Sequence, residues 1–212
     1  MTDRVRRVAQ TFARDDLRME VCNPAHGPLS IENAAQRAQA EQMVMALLEA
    51  LPPPGPHAFV LACFDDLALH QARALTGRPV VGTCEAGIAA ARAVSPRFAI
   101  VTTVHDAVPG IRAMMHRYGA GPLATVRAAG IGVAAAAAAG PQVLEVILET
   151  ARTTMRDDGA QAILLASGGL TGLAGDLSEQ LGVPVIDGVQ AAIAHAAALL
   201  GATLPRRDLG ET

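Results

Sequence analysis

Aromatic side chains make up only 2% of this 212-residue sequence, and tryptophan is absent. Base stacking has little to work with, and a formal net charge of -3 without any long basic run leaves nothing to track a phosphate backbone. Nucleic acid is therefore not an expected partner. No run of about 18 apolar residues is free of Gly, Pro or charge, and the opening MTDRVRRVAQTFARDD lacks an apolar signal core. No membrane span or leader is expected, and the expected location is cytoplasmic. Cysteine is also sparse: Cys22, Cys63 and Cys84 are odd in number and show no C-x-x-C spacing, which argues against a disulfide framework and against a thiolate zinc site. His26, His57, His70, His105, His116 and His195 form no H-E-x-x-H or other ligand spacing, so no metal is expected.

What the chain does have is a 51% hydrophobic composition with 20 Gly and 13 Pro, the make-up of a packed protein with tight loops. Short apolar runs rich in Val, Ile and Leu read as strands at 18–22, 57–63, 78–83, 97–103, 124–133, 162–167 and 183–187. Most are apolar on both faces and alternate with helical patterns, which is what a parallel sheet covered on both sides by crossover helices requires. The class is α/β. Helices are expected from Ile31 to Leu51 behind Ser30, over 110–119 behind Pro109, and from Pro141 to Met155. The PPPGP at 52–56 ends the first of these as a rigid turn. The alanine run at 134–139 fits a helix or a loop in a structural role.

The chain repeats itself. AFVLA at 58–62 runs into Cys63, and AILLA at 162–166 runs into Ser167; each is followed by a helix pattern and then by a G-x-P-V strand. The spacing from Cys63 to Pro79 is one residue shorter than that from Ser167 to Pro184. Two such copies suggest two similar α/β lobes about a pseudo-two-fold axis. We divide the chain into a first lobe at 1–93, a second at 94–188, and a C-terminal helix and tail at 189–212 that packs back on the first. In parallel sheets ligands bind at the carboxyl ends of strands, so positions 63 and 167 are expected to line one cleft between the lobes, each just ahead of a helix N-terminus.

Individual residues admit two readings. Backbone amides and a helix dipole after Cys63 would lower its thiol pKa and make it a usable base, whereas a small buried hydrophobe is the common fate of such a cysteine. Asp66 is expected to cap a helix, while Asp65 is free to orient a substrate. Thr102 and Thr103 end a strand and either bind a ligand or cap the next helix. Gly168, Gly169, Gly172 and Gly175 match no phosphate-loop fingerprint and read as a tight turn. Cys84 in GTCEAG has no counterpart in the repeat.

NPAHGPLSIE, VLACFDD, RPVVGTCEAG, FAIVTTV, AILLASGG and LGVPVIDGV, in this order and over nearly the whole chain, resemble the hydantoin and allantoin racemase branch of the aspartate/glutamate/hydantoin racemase superfamily. The resemblance implies two flavodoxin-like lobes, no cofactor, a small-molecule substrate, a homo-oligomer and an isomerase activity that inverts a carbon by two opposed proton carriers. It makes Cys63 and Ser167 the catalytic positions, with Phe64, Asp65, Thr102, Thr103, Gly168 and Gly169 against the substrate. Ser167 departs from the second cysteine of that family, and a serine hydroxyl is a far weaker acid than a thiol. The chain also opens on what resembles the helix after the family's first strand, so the strand with its N-P-N loop is expected to be missing, through truncation or a misassigned start.

Overall fold

A computed structural model describes residues 1–138 and 140–203. The tail from 204 onward, expected to pack back with the C-terminal helix, lies outside the described residues. Helix α1 (Thr2–Gln10) opens the chain, and α2 (Ala34–Glu49) follows a long loop. The first unit then runs β1 (Phe59–Leu61), α3 (Leu69–Thr76), β2 (Val80–Gly82) and α4 (Thr83–Val94). The middle of the chain is β3 (Phe98–Thr102), α5 (Val108–Arg117), β4 (Ala124–Ala128), α6 (Val133–Ala138) and α7 (Pro141–Asp157). The second unit is β5 (Ile163–Leu165), α8 (Ala174–Leu181), β6 (Val185–Asp187) and α9 (Gly188–Thr203).

All strand pairs among the described residues are parallel: β1 with β2 in one sheet, and the order β4-β3-β5-β6 in the other. The strand order explains the composition of each run. Every residue of the interior strands β3 and β5 is buried, whereas the edge strand β4 is only partly so. Side chains alternate cleanly across the second sheet. Phe98, Ile100, Leu164 and Ala166 pack with Ile88 and Ala91 of α4 and with Ile111, Met114 and Met115 of α5. Ala99, Val101, Ile163 and Leu165 face Ile147, Leu148 and Ala151 of α7 and Leu177 of α8 on the opposite face.

The two units exchange their last helices. Helix α4, from the first unit, covers the second sheet, while α9, from the second unit, lies on β1 and β2 and places Ala192 and Ala196 against Val81 and Val60. The two helices start beside each other. A Cβ on Gly188 would lie 2.8 Å from Thr83 Cγ2, and one on Gly87 would lie 3.3 Å from Gly188 Cα, so glycine permits the approach. Both connecting helices end the same way, with Gly77 and Gly182 in the left-handed region (φ 58° and 68°) before an X-Pro-Val strand.

Four local expectations need correction. Asn33, rather than Ser30, caps α2, its Oδ1 accepting from Gln36 N at 3.0 Å. Residues 18–22 are not in a ladder. They keep a strand's alternation, with Met19 and Val21 turned toward Val60, Ala62 and α1, but no neighbouring strand among the described residues offers them backbone partners. The 124–133 run stops as a strand at Ala128, because Gly130 takes a positive φ of 73°. Finally, neither 63 nor 167 directly precedes an α-helix: α3 begins at Leu69 and α8 at Ala174. The alanine run is helical through Ala138.

Candidate active site

In the second sheet, β3 is followed by a neighbour on one side and β5 by a neighbour on the other. The gap between their carboxyl ends is thus a topological switch point, where an α/β sheet leaves a crevice. Thr103 and Ser167 flank it, and Thr103 Oγ1 lies 3.4 Å from Ser167 Oγ. The Ser167 hydroxyl also accepts from Gly169 N at 3.3 Å, closing a short 3-10 turn over Gly168–Leu170. Packing demands the glycine at 169, which faces backbone, whereas at Gly168 only the flexible Met1 side chain would have to shift. A Cβ on Gly169 would come 2.8 Å from Val133 O at the start of α6, and one on Gly168 would come 2.8 Å from Met1 Sδ.

The same hypothetical Gly168 Cβ would stand 3.7 Å from Ala62 O. The end of β1 and the turn after β5 therefore abut, and the two halves of the repeat meet where the sequence places Cys63 and Ser167. The amides of Phe64 and Gly168, which directly follow these residues, take part in no hydrogen bond among the described residues.

Not every expected residue offers its side chain to this crevice. Phe64 is buried in the core with Cys84 and Ile88, so its backbone is what it presents at the strand end. Thr102 is buried, and its hydroxyl donates to Ala166 O at 3.1 Å, tying β3 to β5 instead of capping a helix. Asp65 is held from α2: Arg37 Nη1 stands 3.0 Å from Asp65 Oδ2, and Arg37 Nη2 donates to the Asp65 carbonyl at 2.9 Å. Asp66 is buried and caps a helix as expected, although the helix is α4, not the one that follows it in sequence. Its carboxylate accepts from Cys84 N at 2.8 Å, Glu85 N at 3.0 Å and Tyr118 Oη at 2.8 Å. Burial raises the pKa of Asp66 and of Asp65 above the ordinary carboxylate range, against the lowering effect of these donors and of Arg37 respectively.

Cys63 is half-buried, and its pKa is pushed up to about 12. Burial is the first cause and the Asp65 charge the second; the Asp65 amide and Arg37 oppose them without prevailing. The expectation of a thiol activated by the helix that follows it is thereby corrected: α3 starts only at Leu69, and burial outweighs the groups that lower the pKa. Cys63 rests as a neutral thiol. Cys84 is buried in the core, where burial and Asp66 raise its pKa further.

Residues that spacing did not reveal include Arg37, Tyr118, Glu32 and Asp187. Glu32 Oε1 accepts from Val133 N at 3.2 Å and so pins the loop before α2 to the start of α6. Asp187, whose pKa burial raises, accepts from Gly172 N at 2.6 Å and Val189 N at 2.9 Å. Asp187 was available from the repeat, since aligning Pro79 with Pro184 sets it opposite Gly82. Tyr118 and Arg37 carry no such signal.

These features define an α/β protein with a crevice between two related units, and comparison with known proteins fits the class. The chain matches the Asp/Glu/Hydantoin racemase family over residues 1–196, and it belongs to that family. It is 38% identical over 181 residues to a hydantoin racemase from Rhizobium meliloti, an alignment covering 85% of this chain and 75% of the relative. Among solved structures it is similar to the allantoin racemase from Klebsiella pneumoniae, with a TM-score of 0.91 and 32% identity over 99% of this chain and 86% of that one. The allantoin racemase from Pseudomonas fluorescens superposes with a TM-score of 0.90 and 26% identity, over 100% of this chain and 94% of that one. These relatives are named as racemases, which are isomerases. No helix among the described residues is long and apolar enough to cross a membrane.

Proposed function

We propose that this protein is a cytoplasmic racemase that inverts the α carbon of a small hydantoin-type ring, a 5-substituted hydantoin or allantoin, without a cofactor, and that Cys63 carries the proton on one face. The observation that supports this reading most is the meeting of the two repeat halves at Ala62 and Gly168, next to Cys63 and Ser167, in a chain 38% identical to a hydantoin racemase.

In this mechanism the thiolate of Cys63 takes the α proton, the C–H electron pair moves into the adjacent carbonyl as an enolate, and a proton returns from the opposite face. The unengaged amides of Phe64 and Gly168 are the donors we assign to the enolate oxygen, where preorganised dipoles act on developing charge. Asp65, Thr103 and Gly169 complete the wall, and Thr102 supports it by joining β3 to β5. We read the working unit as lobes 1–93 and 94–188 with the helix from 189 crossing back, assembled as a homo-oligomer.

One observation favours a second, narrower reading. The Ser167 hydroxyl is bonded to Thr103 and Gly169 and has no carboxylate or imidazole partner among the described residues to activate it. Proton return through Ser167 would then be slow, giving a one-sided enzyme that exchanges the α proton of one enantiomer, or at the limit a binding protein without turnover. Incubation in D2O with L- and D-5-benzylhydantoin and with both enantiomers of allantoin, followed by polarimetry and by deuterium uptake at the α carbon, separates these. Loss of rotation from either enantiomer supports racemisation; unchanged rotation with every ring contradicts it.

A further inference from the structure

A second candidate site lies outside the crevice, in a cavity of about 400 Å³ between α1, the turn after Ser167 and the start of α9. Arg4, Arg7 and Thr11 line it from α1, Thr171 and Gly172 from the turn, and Gln190 from α9. Arg4 and Arg7 are three residues apart on one helical face, and neither has an acidic partner among the described residues, whereas neighbouring Arg6 is paired with Asp3. Two like charges at this spacing repel unless something negative lies between them. Thr171 is 2% exposed, and its hydroxyl is a buried side-chain oxygen without a hydrogen-bond partner among the described residues. A buried hydroxyl is rarely left so in a finished site.

We propose that this cavity binds a phosphoryl dianion, as inorganic phosphate or as the head of a phosphate monoester. Two guanidiniums match its charge and its forked oxygens, and the Thr171 hydroxyl and the Gln190 carboxamide add neutral donors. Asp187, whose oxygens accept from the amides of Gly172, Val189 and Gln190, forms no ion pair with either arginine among the described residues. The site is tied to the crevice through Arg4, whose Nη1 lies 3.1 Å from Thr171 O and 3.4 Å from Gly169 O. A bound dianion that orders Arg4 thereby orders the Ser167–Gly172 turn. This inference stands whether or not the racemase reading does.

The test is calorimetric titration of the intact protein with inorganic phosphate and, separately, with glycerol 3-phosphate, at ionic strength held constant with chloride. Saturable binding of either, weakened about tenfold or more in Arg7→Gln and unchanged in Arg14→Gln, establishes the site. Slower amide exchange across 167–172 on phosphate addition, lost in Arg7→Gln, establishes the link to the crevice. Absence of binding by both ligands, or equal binding by Arg7→Gln, overturns the proposal.

Discussion

Asp66 and Asp187 cap equivalent helices from inequivalent places. Asp66 reaches from the loop after β1 to the amides of Cys84 and Glu85 in α4, while Asp187, at the end of β6, caps the corresponding amides of Val189 and Gln190 in its own α9. Gly82 occupies the position that Asp187 holds in the other unit, and the space its missing side chain leaves is filled by the Asp66 carboxylate: a Cβ there would stand 2.5 Å from Asp66 Cγ. The pseudo-symmetry is kept in function, one aspartate per helix start, and broken in sequence.

Gly82→Ala should therefore displace Asp66 and destabilise the fold by roughly the cost of a lost buried hydrogen-bond partner, about 1–3 kcal/mol. Asp66→Ala should cost a similar amount, leaving two amides and the Tyr118 hydroxyl unpaired. The double variant should be less destabilised than the sum of the two, since the added methyl then enters vacated space. Urea unfolding of the three variants checks this; strict additivity would mean the two residues do not compete for that space.

The raised pKa of Cys63 governs how proton transfer depends on pH. If the thiolate is the base, its fraction grows about tenfold per pH unit below a pKa of about 12, so α-proton exchange should climb without a plateau through neutral and mildly alkaline pH. Asp65 raises that pKa and Arg37 lowers it, so Asp65→Asn should move the profile to lower pH and Arg37→Gln to higher pH. Rates of deuterium uptake measured against pH in the three proteins check the signs. A profile that levels off near neutrality would show that another group is the base.

Ser167→Cys should raise racemisation by about 100-fold, the low end of what a competent general acid or base contributes. Its packing should tolerate the change, since sulfur replaces oxygen at a half-buried position. Polarimetry of wild type and variant on one hydantoin enantiomer reads the effect. An unchanged rate would mean that the second proton carrier lies elsewhere.

Stability in acid should depend on Asp158, which lies away from the crevice. Arg127 grips it through Nε at 2.8 Å and Nη2 at 2.6 Å, and Thr125 adds a hydroxyl at 3.1 Å. These bonds lower its pKa, so the pair stabilises the fold above the ordinary aspartate range and the contribution is lost as pH falls through the depressed value. Asp158→Asn should lower the melting temperature at pH 7 by a few degrees, and the difference should shrink as pH falls into the acid range, for a pair worth about 1 kcal/mol at this partly exposed site. A melting difference that does not shrink on acidification would contradict the assignment.

Much of the architecture was legible because parallel sheets impose burial on both faces, and β2, β3 and β5 show it as short runs without a charged residue, buried throughout. Pro109 and Pro141 marked helix starts through their missing amides, and the repeat located Cys63 and Ser167 before any geometry. Residues 18–22 misled because alternation reports which side chains turn inward and says nothing of whether a neighbouring strand is there to bond. The electrostatics of Cys63 misled for a related reason. A short-range rule about helix ends was applied where a five-residue turn intervenes and where burial, a tertiary property, dominates. Arg37 and Tyr118 reach their carboxylates across 28 and 52 residues of chain, a distance no local pattern encodes.

The central claim is that Cys63 carries a substrate proton. The most direct measurement is the uptake of deuterium from D2O at the α carbon of enantiopure 5-benzylhydantoin and allantoin by wild type and by Cys63→Ala, with circular dichroism confirming that both are folded. Exchange by wild type on at least one ring and none above background in Cys63→Ala is the predicted result. Equal exchange by the two proteins, or none by wild type on any ring, would contradict it.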